Sequence, residues 1–362
     1  MADMFTKYDA ERILRNKYIL FLGSSNIRSM YKDLVWLLQN NSITPENLIK
    51  RKLENSFAND TKIAGRLITA GVGYVEDRSY QHDMGNDSIL IEFSFITRCF
   101  TKNLKEIFND IASGKISPDL IVMNSTLWDL TRWGPDCIDR FKENMIHLMN
   151  LVSNVLPPTC LFLWLTALPV SPIVTSSLLD RSLEFVGNSL RFNVLEANNY
   201  TRQIVGMYGY DVLDLHYYAR LQFEHQTKDG VHFRPQLMRF FTNLILTHCC
   251  LSWNLPLPGN VVNQALDSAT KLAFKEENLT NYIDVDSLLS NIEKMAPNKE
   301  LKAPGEKLIL KSNNVMKPSQ THNMNKPPPP SRSGKSRSKN KRWYPARPGP
   351  YPRYNNQFRG YY

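Results

Sequence analysis

The side chains best suited to chemistry are one hydroxyl, Ser25, and an acid–base pair on one short segment, Asp229-Gly-Val-His232. A serine becomes a nucleophile when a base removes its proton, and the base works best when a carboxylate orients it. Of the seven histidines, only His232 has an aspartate three residues before it. Attack on an acyl carbon builds an oxyanion, which needs donors already in position. The Ser25 backbone N–H, a glycine N–H from Gly71 or Gly73, and the Asn124 amide are the candidates. Arg28, on the first turn of the helix after Ser25, either faces the site, where it would meet an anionic group, or lies on a solvated helix face. His216, His225 and His232 have no second cluster at ligand spacing, so no metal is expected, and acyl transfer through a serine requires no cofactor.

The elements that must position these groups follow from hydrophobic periodicity. Tyr18-Ile-Leu-Phe-Leu-Gly23 is a continuous apolar run, which suits a parallel strand covered on both faces. After it Met30, Leu34, Leu37 and Leu38 fall at helical spacing, so Ser24, Ser25 and Asn26 occupy a strand-to-helix turn. Similar apolar runs at Arg66–Ala70, Asp119–Asn124, Cys160–Thr166 and Tyr210–Asp214 predict further strands, with an extra one at Ser88–Ile96. Helices are expected at 137–155, 180–206 and 235–252. Alternating strands and helices predict an α/β fold, a three-layer α/β/α sandwich around a doubly wound, mainly parallel sheet. In such a sheet functional groups gather at the carboxyl ends of the strands, where Ser25, the glycines, Asn124 and the Asp229–His232 segment would all arrive.

Charge divides the chain. Residues 301–362 hold 14 Lys and Arg against one acidic residue, Glu306, so the other 300 residues hold 30 basic and 33 acidic groups. The net charge of +10 therefore belongs to the tail. The boundaries are a domain over 1–255, a peripheral helical or linker segment over 256–299, and a disordered basic tail, rich in Pro, Arg and aromatics, over 300–362. Lys326-Pro-Pro-Pro-Pro-Ser-Arg332 is compatible with an SH3-type groove, and Arg residues interleaved with Tyr, Trp and Phe up to residue 362 are compatible with weak RNA contact. Five cysteines without a C-x-x-C pair argue against a disulfide framework and a zinc site, and Cys249 and Cys250 read as buried thiols. The N-terminus lacks the apolar stretch of a signal peptide, and the longest apolar run, Cys160–Val170, is too short to span a membrane. The expectation is a soluble protein of cytoplasm or nucleus.

Three stretches together resemble the SGNH/GDSL hydrolase superfamily, and within it the PC-esterase branch typified by PC-esterase domain-containing protein 1. They are Phe21-Leu-Gly-Ser-Ser-Asn-Ile-Arg-Ser-Met-Tyr-Lys-Asp-Leu34, Val122-Met-Asn-Ser-Thr-Leu-Trp-Asp-Leu130, and Asp229-Gly-Val-His232. The resemblance implies ester hydrolysis of an unidentified acyl substrate, with Ser25 as nucleophile, His232 as base, Asp229 as its partner and Asn124 as an oxyanion donor. Trp128 and Asp129 would support the site. The superfamily opens this motif Gly-Asp-Ser, whereas this chain has Gly23-Ser24-Ser25. Ser24 supplies a hydroxyl but no charge, which opens the alternative of a weak or inactive descendant that binds acylated partners or acts as an adaptor through its tail.

Overall fold

The computed structural model describes residues 3–66, 74–175, 178 and 181–260. Seven strands form one sheet: β1 Tyr18–Gly23, β2 Thr61–Arg66, β3 Val75–Met84, β4 Asp87–Phe95, β5 Leu120–Asn124, β6 Leu161–Leu165 and β7 Asp211–Leu213. The helices are α1 Lys7–Leu14, α2 Ser25–Asn40, α3 Glu46–Ile49, α4 Lys102–Ala112, α5 Thr126–Arg132, α6 Cys137–Val155, α7 Leu190–Met207, α8 Leu215–Ala219 and α9 Pro235–Ser252. The strand order is β2-β3-β4-β1-β5-β6-β7. From β4 to β7 every pairing is parallel, while β2 and β3 add an antiparallel edge.

Both faces of β1 are covered, as its unbroken apolar run requires. Ile19 and Phe21 point into a core made with α1, α2 and α9. Leu20 and Leu22 point into a second core with α4, α5, α6 and α7. These two cores are the outer layers' contacts with the sheet and complete the α/β/α sandwich. The chain leaves β1 toward β2–β4 on one side and later crosses to β5 on the other. β1 is therefore the point at which the winding reverses, and a crevice opens beyond its carboxyl end.

Several expectations change in detail. The stretch expected as an extra strand is β4, which lies beside β1 in the middle of the sheet. The strand expected at Arg66–Ala70 overlaps β2 only at Arg66, and β2 pairs antiparallel with β3. Residues 67–73, with Gly71 and Gly73, lie outside the described residues. The helix expected at 180–206 begins as a 3-10 stretch, Arg181–Asn188, and becomes α-helical only beyond Gly187-Asn188, a pair of poor helix formers. The segments beyond residue 260, including the tail, are also outside the described residues. Among those described, no helix is long and apolar enough to cross a membrane, and all five cysteines are buried free thiols.

Candidate active site

The turn after β1 is as tight as a close backbone approach demands. A Cβ at Gly23 would lie 2.2 Å from Ile27 Cγ1 and 2.6 Å from the Asn124 carbonyl oxygen, so only glycine lets β1 meet both β5 and the first turn of α2. Ser24 is the N-cap of α2, 5% exposed, and its side chain makes no capping hydrogen bond. Ser25 follows as the first helical residue, where backbone N–H groups have no intrahelical acceptor. Its Oγ stands 2.7 Å from His232 Nε2.

His232 is held by its own loop. Its Nδ1 lies 2.8 Å from Asp229 Oδ2. The other carboxylate oxygen, Oδ1, accepts the backbone N–H of Val231 at 2.9 Å, that of His232 at 3.0 Å, and the Thr227 hydroxyl at 2.9 Å. Burial alone would raise the Asp229 carboxyl, but the hydrogen bonds from the His232 side chain and from these backbone groups outweigh it and hold the group well below the usual carboxylate range. Asp229 is thus an anion that orients the imidazole and shapes the loop at once. Gly230 makes the loop possible: its φ is +77°, and a Cβ there would lie 2.6 Å from the Ile173 carbonyl oxygen. Asn26 donates to the Val231 carbonyl at 3.4 Å, tying the nucleophile's helix to the base's loop. Pro235 then starts α9 at a position that needs no N–H donor.

The three residues border a cleft of about 340 Å³. Phe95, Trp128, Leu178, Val231 and Phe233 give it apolar walls, and Arg28, Lys50, Lys52 and Arg132 bring cations to it. Trp128 stacks edge-on against Phe95 at 5.4 Å, and the Arg132 guanidinium lies 5.1 Å from its ring centre. Arg28 is buried and donates through Nη1 to Tyr74 Oη at 2.9 Å and to Glu76 at 2.7 Å. The cleft's contacts with Lys50, Lys52 and Tyr74 carried no signal in the sequence, because each is an isolated residue brought in by α3 or the start of β3.

The other expected residues stand further back. Asn124 neighbours Gly23 across the β1–β5 ladder, but its amide donates to the Leu165 carbonyl at 2.7 Å and the Thr126 hydroxyl at 3.1 Å. It lines a small cavity of about 10 Å³ with Ser24 and Asn26, and not the cleft beside Ser25. Asp129 is buried on α5, accepting the Cys99 N–H at 2.9 Å and the Ser125 hydroxyl at 2.6 Å. His216 Nδ1 is 3.0 Å from the Ala167 carbonyl.

Burial pushes the Asp129 carboxyl up to about 7, against the opposing pull of Ser125, Cys99 and the Arg98 guanidinium. The unfolded chain ionises it near pH 4. Between those values the folded state keeps a proton that the unfolded state has lost, so this group costs increasing stability as pH rises through the window. Asp129→Asn keeps acceptor and donor capacity without the charge. It should gain on the wild type by up to about 4 kcal/mol between roughly pH 4 and pH 8. Urea denaturation of both proteins across that range checks this; a difference independent of pH contradicts it.

The site is thus a serine on the turn after the switch-point strand of a mainly parallel α/β sandwich, met by a His–Asp pair just before the last described helix. No family model matches the chain. PC-esterase domain-containing protein 1A of Homo sapiens is 35% identical over 257 residues, covering 70% of this chain and 56% of that protein. PC-esterase domain-containing protein 1B of Homo sapiens is 34% identical over 254 residues, covering 69% and 58%. The chain is thus similar to these proteins over about 70% of its own length, and it spans little more than half the length of the curated relatives it matches. Solved structures similar to it include a GDSL-like lipase from Bacteroides thetaiotaomicron, 11% identical, with 66% of this chain and 89% of that one covered at a TM-score of 0.40. A peptidoglycan O-acetylesterase is 11% identical, with 68% and 95% covered at a TM-score of 0.40.

Proposed function

We propose that this chain is a serine acyl-esterase of the SGNH type. Ser25 attacks the acyl carbon of an ester, and His232 takes the hydroxyl proton and returns it to the departing alcohol. Water then cleaves the acyl-enzyme by the same exchange, while Asp229 keeps the imidazole oriented and stabilises its cationic form. The observation that carries this reading is the pair of contacts in series, 2.7 Å from Ser25 Oγ to His232 Nε2 and 2.8 Å from His232 Nδ1 to Asp229. The oxyanion falls to the Ser25 N–H at the start of α2, assisted by a glycine N–H from Gly71 or Gly73. The Asn124 amide joins them once it releases one of its two acceptors. Covalent labelling by a fluorophosphonate tests the proposal. Wild type should label at Ser25, and Ser25→Ala and His232→Ala should not; a folded wild type that does not label refutes it.

One observation favours a weaker enzyme, or a binding protein built on the same cleft: the Ser24 hydroxyl gives α2 no cap. A carboxylate there would cap the helix and fix the turn that presents Ser25. On this second reading Ser24→Asp raises ester hydrolysis by about tenfold to 100-fold, the scale that a small misplacement of a nucleophile costs. An unchanged rate removes it.

A further inference from the structure

Resting on the esterase reading, we infer that the substrate is an ester of a medium-length hydrocarbon group, about six to eight carbons long, that lies against Trp128 and Phe95 while Ser25 attacks. The apolar surface starts at the reacting atoms. Val231 and Phe233 flank His232 in sequence, are buried, and line the cleft with it. Tyr74, Phe95 and Trp128 line the same cleft and pack in series, with ring centres 4.3 Å apart for Tyr74 and Phe95 and 5.4 Å apart for Phe95 and Trp128. Phe95 and Trp128 are only half-buried, so part of each meets water. Covering apolar surface is favourable in proportion to its area. An acetyl group, with a single methyl, covers little of it.

The polar groups of the cleft leave a hydroxylated substrate little to bind. Ser29 donates to the Ser25 carbonyl at 3.0 Å, and Tyr74 Oη donates to Glu76 at 2.6 Å. Arg28 and Lys50 are paired with Glu76 and Glu46 at 2.7 and 2.6 Å. Volume sets the length of the group. An apolar cavity of about 150 Å³ takes up benzene. The cleft, about 340 Å³, holds roughly twice as many atoms, and the ester itself takes a share of them.

The test separates chain preference from catalysis. Full-length wild type is given ethyl acetate, ethyl hexanoate and hexyl acetate, the last two being isomers. At least one isomer should exceed ethyl acetate in kcat/KM by about tenfold or more, since each fully covered methylene is worth about threefold to fourfold. The isomer with the larger gain places the hydrocarbon on the acyl or the alcohol side, and extending that chain to ten carbons should add little, because the cleft is then full. Trp128→Ala and Phe95→Ala should each lower the ratio to ethyl acetate by about fivefold. Ser25→Ala, titrated calorimetrically with the same esters, should bind the favoured isomer about tenfold tighter than ethyl acetate. The chain series and this titration decide the matter even where a truncated variant fails to fold. Equal rates across the three esters overturn the inference, as does a preference that survives both truncations or a gain that continues undiminished to ten carbons. A wild type that neither labels with fluorophosphonate nor cleaves these esters, but whose Ser25→Ala form binds them as described, loses the esterase reading and keeps the hydrocarbon site. A protein that labels and cleaves the three esters alike does the reverse.

Discussion

Ser25→Ala and His232→Ala should each drop the hydrolysis of an activated aryl ester by about 10⁴-fold or more, with the double variant little worse than either single one. The two groups act as one unit: without the imidazole the hydroxyl keeps its proton, and without the hydroxyl the imidazole has nothing to activate. Asp229→Asn should cost about 10⁴-fold in kcat by a different route. Asp229 Oδ2 accepts the proton on His232 Nδ1, which leaves Nε2 free to receive the proton from Ser25. An amide in its place can present N–H to Nδ1 and reverse the tautomer, putting a hydrogen where the base's lone pair is needed. The same variant keeps an oxygen for the Val231 and His232 N–H groups, so the loop should stay folded. Initial rates, with thermal melts confirming folded protein, measure all four variants. A Ser25→Ala protein that retains its rate would place the chemistry elsewhere.

The parts of this site legible in the sequence were those enforced by local geometry. Gly23-Ser24-Ser25 lies between a period of unbroken burial and a helical period, so the turn that carries Ser25 followed from pattern alone. The helices at 137–155 and 235–252 were legible for the same reason. Asp229 and His232 lie on one short loop, and their contact needs no long-range information. What was not legible depends on pairing between distant segments. β3 alternates buried and half-buried residues but carries Glu76, Asp77 and Arg78, which read as surface until the partners that neutralise them are known. Asn124 was expected at the end of its strand as an oxyanion donor, but the direction of its amide is set by the Leu165 carbonyl of β6, a residue 41 positions away. The cations of the cleft are scattered in sequence and converge only once α3, α2 and α5 have packed.

That hidden charge in β3 supports the second large effect. Arg78 is fully buried and donates through Nε and Nη2 to both oxygens of Asp60 at 2.7 and 2.8 Å, and through Nη1 to Glu76 at 3.0 Å and the Glu54 carbonyl at 3.1 Å. Glu54 in turn pairs with the buried Lys32 of α2. Arg78→Met fills much of the same space but leaves two buried carboxylates with less compensation, and loss of one partner from a buried pair typically costs about 3–5 kcal/mol. Against a total stability on the order of 5–15 kcal/mol for a domain, that brings the protein close to unfolding at moderate temperature. Adding Asp60→Asn should recover a measurable part of the loss, because an amide carries no charge to compensate and can still accept the Phe57 N–H through its oxygen while its NH2 donates to the Tyr31 hydroxyl oxygen. Urea midpoints of the single and double variants decide the matter. A single variant within about 1 kcal/mol of wild type would mean that the network adds little to stability. If the stability falls as expected, its consequence reaches the cleft: Glu76 is the residue that Arg78 shares with Arg28, so the guanidinium one turn from Ser25 is held in place from the far side of the sheet edge.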